Sequence, residues 1–133
     1  MNSTSTLSHV IMNIVACFEK SSVDRAKIIS ELLKNKTFRV IYKKVNRDEN
    51  NEIVMREAFC TLDFESLLTY SNSYREYTNK STENKKSKRK AYESSCISYY
   101  DLEKDAFRCF KMQNLVEIEM LEFNEAIKRV NQI

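Results

Sequence analysis

The stretch Tyr99-Tyr100-Asp101-Leu102-Glu103-Lys104-Asp105-Ala106-Phe107-Arg108-Cys109-Phe110-Lys111 decides the fold. A polar turn, Leu102 to Asp105, separates two runs rich in aromatic residues, which is the pattern of a β-hairpin. One arm reads as Cys96 to Asp101 and the other as Ala106 to Met112. Beyond Gln113-Asn114, Leu115 to Met120 alternates again, with Glu117 and Glu119 marking a solvent-facing side. Upstream, the same period of two appears in Phe38 to Lys44. There Phe38, Val40 and Tyr42 point one way, and Arg39, Ile41 and Lys43 the other. The polar run Asn46 to Asn51 is a turn, and a second strand runs from Ile53 to Cys60. Leu62 to Leu68 reads as one or two helical turns started by Asp63.

Outside these strands the period lengthens. Residues 6–19 carry Leu7, Val10, Ile11, Ile14, Val15 and Phe18 at helical spacing. A second helix follows Ser21-Ser22-Val23-Asp24, which has the form of a capping box, with Val23, Ala26, Ile29, Leu32 and Leu33 as its stripe. Phe123 to Ile133 places Ala126, Ile127 and Val130 in register for a closing helix. The expected architecture is α+β in one domain over residues 1–133. It comprises a helical pair (1–35), a small five-stranded antiparallel barrel (36–120) with a basic insertion (71–94), and the closing helix (121–133). Residues 71–94 hold few aliphatics and many Ser, Asn, Lys and Glu, a composition that predicts a mobile loop.

The 133 residues include no glycine, proline or tryptophan, where average usage gives roughly nine glycines and seven prolines. Phosphate loops, dinucleotide fingerprints and nucleophile elbows all need glycine, so none can exist here. The turns must use other residues that tolerate positive φ: Asn35 after the second helix, Asn50 or Asn51 in the first hairpin, and Asp105-Ala106 in the second. The net charge of +3 is uneven. Residues 71–92 hold seven basic residues against two glutamates, a net of +5, which leaves −2 for the rest. Cys17, Cys60, Cys96 and Cys109 show no C-x-x-C spacing and lie far from His9, the one histidine, so they read as small buried apolar residues without metal. No apolar run approaches the ~18 residues of a membrane span, and the first twenty residues do not resemble a secretory signal.

Two motifs together resemble a known family. They are Val40-Ile41-Tyr42-Lys43-Lys44 with Met55-Arg56-Glu57-Ala58-Phe59-Cys60-Thr61-Leu62, and the Tyr99–Lys111 hairpin. Both are similar to the small phage proteins described as WYL-like, whose second hairpin follows V-W-D-L-E-K-x-G-W-R-S-F-R. Asp101-Leu102-Glu103-Lys104 matches letter for letter, Phe107 stands for the second tryptophan, and Lys111 replaces an arginine. The resemblance covers roughly residues 36–120 and implies an Sm-like or Src-homology-3-like barrel. The missing glycines and prolines read, from codon composition, as the mark of an AT-rich genome such as that of a phage, a larger virus or a parasite.

For function, catalysis finds no support, and no catalytic residue, metal or cofactor is expected. A nucleophile needs a base within reach, and nothing marks a partner for His9; Asp101 and Glu103 belong to a turn. The favoured expectation is a non-enzymatic phage accessory or regulatory protein in the host cytoplasm. It would bind a host or viral protein, as an inhibitor of a host system, through its helices and strand edges. The alternative is a nucleic-acid-binding barrel. Arg39, Lys43, Arg56 and Arg108 would supply cations and Tyr99 or Tyr100 stacking. Lys85, Lys86, Lys88, Arg89 and Lys90 would add phosphate attraction. A virion-associated structural role is a second alternative, and small-ligand sensing is suggested by the resemblance alone. No membrane partner is expected.

Overall fold

The computed structural model describes residues 3–81 and 95–133. Helix α1 spans Ser3–Val15 and α2 spans Ser22–Leu32. The Ser21 hydroxyl accepts the Asp24 N–H at 3.1 Å, so the capping pattern read from the sequence starts α2 as expected. Phe18 departs from its expected place. Helix α1 ends three residues before it, leaving its ring 85% exposed beneath the Arg25 guanidinium, 5.3 Å from the ring centre.

The strands are β1 (Thr37–Lys43), β2 (Met55–Thr61), β3 (Cys96–Asp101), β4 (Ala106–Lys111) and β5 (Leu115–Leu121). They form one antiparallel sheet in the order β4-β3-β2-β1-β5. Central β1 pairs with β2 from Thr37↔Thr61 to Lys43↔Met55, and with β5 from Thr37↔Leu121 to Tyr42↔Leu115. The buried hydroxyls of Thr37 and Thr61 bond to each other at 2.8 Å, which fixes one end of the β1–β2 register. By contrast β3 meets β2 only at Cys60↔Asp101 and Thr61↔Tyr100.

Phe38, Val40 and Tyr42 enter the main core as their alternation predicts, joined by Ile29 and Leu33 of α2 and Ile11 of α1. Fully burying such side chains stabilises by about 1.5–3 kcal/mol each. Phe110 of one edge strand and Ile118 of the other share this core, and the Tyr42 and Phe110 rings stack at 5.0 Å. The sheet therefore curls until its two edges enclose one interior, as a small barrel must.

The outer face is covered too. Helix α3 (Phe64–Tyr70), α4 (Asn72–Ser81) and the closing helix α5 (Phe123–Val130) bury Phe59, Leu67, Tyr74, Tyr100, Leu102 and Ala126 in a second cluster. Helix α4 corrects the expected loop: the first part of 71–94 is helical, and 82–94 lies outside the described residues. Its own composition is polar, and Tyr74 anchors it against Phe64, Tyr100 and Phe107, partners contributed by other elements. The cysteines also differ from expectation. None of the four is in a disulfide, but only Cys60 is buried, while Cys109 is exposed on edge strand β4 opposite Ser98.

Asn35 (φ 62°), Asn51 (φ 65°) and Asp105 (φ 55°) take the left-handed conformation at three of the positions where glycine would be ordinary. That conformation costs roughly 1–2 kcal/mol in a residue with a side chain, least for Asn and Asp. Local bonds offset it. Asp48 Oδ1 accepts the N–H groups of Asn50 and Glu52, both at 2.9 Å, beside Asn51. The Asp105 carboxylate accepts bonds from Ser71 and Tyr100 at 2.7 Å each.

Candidate nucleic-acid interface

At one end of the barrel, the β1–β2 connection and the β4–β5 connection face each other across a groove of about 340 Å³. Lys43, Lys44 and Arg47 stand on one side, and Lys111, Gln113 and Asn114 on the other. Both walls are fixed by backbone bonds. Lys44 N–H donates to the Val54 carbonyl at 2.8 Å, and Met112 N–H donates to the Ser95 carbonyl at 2.7 Å. Buried Met112 plugs the short 3-10 turn, Met112–Asn114, into the core, and this aims Gln113 and Asn114 outward. Val45 and Ile53, 72% and 51% exposed, add apolar surface. Among the described residues, none that lines the groove is a carboxylate. Four cations converging with no carboxylate among the described lining residues attract a phosphate or carboxylate chain, and two amides can accept or donate beside it.

Of the described residues singled out in the sequence as candidate contacts, only Lys43 reaches this groove. Arg39 lies on the outer face of β1, ion-paired to Glu57, to Glu117 at 3.1 Å and to Glu119 at 3.4 Å. Partial burial opposes its charge, and the bonds to Glu57 and Glu117 outweigh that and raise its pKa. Glu119 is shared with Arg129, which also pairs with Glu125, so two guanidinium groups stand among four carboxylates and neither is unpaired for phosphate.

Arg56 is also committed. Its Nη2 donates to Asp101 Oδ2 at 2.7 Å, and Asp101 is fully buried. The other Asp101 oxygen, Oδ1, accepts the N–H groups of Glu103 and Lys104 at 2.9 and 3.0 Å, so this one side chain shapes the Asp101–Lys104 turn and holds Arg56. Arg108 Nε stands 3.9 Å from Asp101 Oδ2 and its side chain is 45% exposed, which leaves it partly available.

The two tyrosines are not platforms for bases. Tyr99 is fully buried with its hydroxyl 3.3 Å from that of Tyr42, and burial first, then neighbouring Cys60 and Tyr42, pushes its pKa far up. Tyr100 is 2% exposed and donates to Asp105; burial, reinforced by the Asp105 bond, pushes its pKa up to about 12. Alternation should expose one of two consecutive strand residues, but α3 and α4 cover the outer face here, so both are enclosed. Lys85, Lys86, Lys88, Arg89 and Lys90 lie outside the described residues.

The residues that reading the sequence passed over are Lys44, Arg47, Gln113 and Asn114, with Lys111 noted there only for replacing an arginine. The Lys43-Lys44 pair at a strand end was the available signal. Among the described residues, no group of three or more His, Cys, Asp or Glu is placed to hold a metal ion. No helix among them is long and apolar enough to cross a membrane.

No curated protein and no solved structure matches the chain. A family model does, over residues 26–116, which takes in the later part of α2, all of β1 to β4, the 3-10 turn and the start of β5. Barrels of this fold are typically non-catalytic, although a fold by itself does not fix a function. The motif resemblance, the curled five-stranded sheet and this match agree, and the chain belongs to the WYL_2 family, described as an Sm-like SH3 beta-barrel fold.

Proposed function

We propose that the protein is a non-enzymatic accessory factor of a virus that acts by binding a nucleic-acid strand along the Lys43–Lys111 groove. The observation that carries this reading is the convergence of Lys43, Lys44, Arg47 and Lys111 with no carboxylate among the described lining residues. Cations held with compensating acids, as around Arg39, gain little from a polyanion, whereas uncompensated ones release counterions on binding. The viral setting rests on the likeness to small phage proteins and on the glycine- and proline-free composition. The test is fluorescence anisotropy of a labelled 12-nucleotide strand across a salt series. For three or four phosphates contacted, log K falls with log salt at a slope of roughly −2 to −3. The combined variant Lys43→Ala, Lys44→Ala, Arg47→Ala, Lys111→Ala flattens that slope and weakens binding at low salt by on the order of 100-fold. Equal affinity of the variant and the wild type removes the reading.

A second reading, a protein partner, has its own observation. An open hollow of about 670 Å³ lies between α2 and β3, with Ala26, Leu62 and Phe64 among its lining. There a partner side chain could fill apolar surface. On this reading, pull-down from nuclease-treated host lysate recovers a defined protein with the wild type and loses it with Ser98→Arg, which blocks the hollow. Capture that is indifferent to Ser98→Arg counts against it.

A further inference from the structure

The outer side of β4 joins the cationic groove to a patch of exposed aromatic rings. In a strand, alternate residues share a face, so Phe107, Cys109 and Lys111 lie in one line along β4. That strand is the end member of the sheet order, and five of its six residues are exposed. Lys111 is in the groove. Four residues away, about 13 Å along the strand, Phe107 is 42% exposed and its ring centre lies 5.0 Å from that of Tyr77, itself 51% exposed. The pair is held from behind. Tyr100 meets Phe107 edge-on at 5.0 Å and 87°, and Tyr74 stacks on Tyr77 at 6.3 Å. Phe64 and Tyr74 also touch the Phe107 ring, so the pair is rigidly supported while each ring keeps about half of its surface open. Exposed Lys80 lies three residues beyond Tyr77 on the same side of α4, so cations flank the aromatic pair at both ends.

Rigid, half-exposed rings within one short strand of a phosphate-attracting groove are the arrangement that holds unpaired bases: the groove takes the backbone and the rings take the base faces. A duplex keeps its bases stacked internally and offers these rings nothing. We infer that the ligand is single-stranded nucleic acid, with Phe107 and Tyr77 as the stacking platform and the Lys43–Lys111 groove as the backbone site. This rests on the groove reading above and adds to it the class of strand and the residues that recognise bases.

The test uses the full chain and three labelled probes of equal length: a 12-nucleotide oligothymidylate, a 12-unit abasic phosphodiester of the same charge, and a 12-base-pair duplex. Oligothymidylate binds about 10-fold more tightly than the abasic strand, and Phe107→Ala or Tyr77→Ala abolishes that advantage while leaving abasic binding unchanged. Because the chain contains no tryptophan, Phe107→Trp installs a single indole in the platform. Its emission falls on adding oligothymidylate and stays constant with the abasic strand, a readout that needs no destabilising truncation. If the abasic strand binds as tightly as oligothymidylate, the duplex binds more tightly than either, or the indole is indifferent to bases, the platform is overturned while the groove stands. If neither oligothymidylate nor the abasic strand binds, groove and platform fall together.

Discussion

Asp101→Ala is expected to remove about 3–5 kcal/mol of folding stability, as when one partner of a buried ion pair is deleted. The carboxylate is fully buried and does three things at once. It pairs with Arg56 at 2.7 Å, accepts the Glu103 and Lys104 N–H groups, and approaches Arg108. Alanine leaves the Arg56 guanidinium, only 19% exposed and with its Nε already unpartnered, facing no negative charge, and strips the turn of its acceptor. For a chain of this size the midpoint of thermal unfolding falls by on the order of 10–20 °C. Asp101→Asn keeps an oxygen for the turn and loses only the charge, so its cost is smaller, about 1.5–3 kcal/mol. Circular dichroism melts of the three proteins check this ordering. A midpoint shift of under about 3 °C for Asp101→Ala removes Asp101 from the centre of the barrel's polar network.

Tyr99→Ala is the second large effect, again about 3–5 kcal/mol, because it empties the largest fully buried side-chain site in the described structure. Tyr99→Phe separates packing from polarity. It keeps the ring against Phe110, 5.8 Å away, and removes the hydroxyl beside Tyr42, for about 1 kcal/mol. Urea denaturation measures both. The phenylalanine variant, folded at 25 °C, binds oligonucleotide as the wild type does, since Tyr99 offers no surface to a ligand. Weakened binding by Tyr99→Phe contradicts its assignment to the core.

These two residues show what the chain's pattern discloses and what it hides. The strands were readable because Phe38, Val40 and Tyr42 alternate with polar neighbours, and the turns because Asn35, Asn51 and Asp105 are residues that accept positive φ. Helix α4 was not readable. The apolar contacts that hold Tyr74 come from Phe64, Tyr100 and Phe107, brought together only by folding. The same holds for the groove, since Lys43 and Lys111 are far apart in the chain and meet only when the sheet curls. Arg39 and Arg56 looked available because a list of residues shows cations without showing the carboxylates folded against them. Phe107 and Tyr77 escaped notice for the opposite reason. Exposure of an aromatic ring depends on which helix happens to cover it, and α4 covers Tyr100 but leaves Phe107 partly open.

The central position of β1 has a consequence for how the molecule comes to exist in a cell. Its first neighbour, β2, emerges from the ribosome within a few residues, but its second, β5, begins only at Leu115, some seventy residues later. At translation rates of about 5–20 residues per second, one flank of β1 waits several seconds for its partner. During that interval the nascent chain presents an open ladder, an invitation to pair with another copy. Arg39, whose final role is to sit among three glutamates, is meanwhile a bare charge in the middle of that flank, and Lys43 another at its end. Both cations thus guard the half-built sheet, and Arg39 then goes on to hold the finished one through its ion pairs.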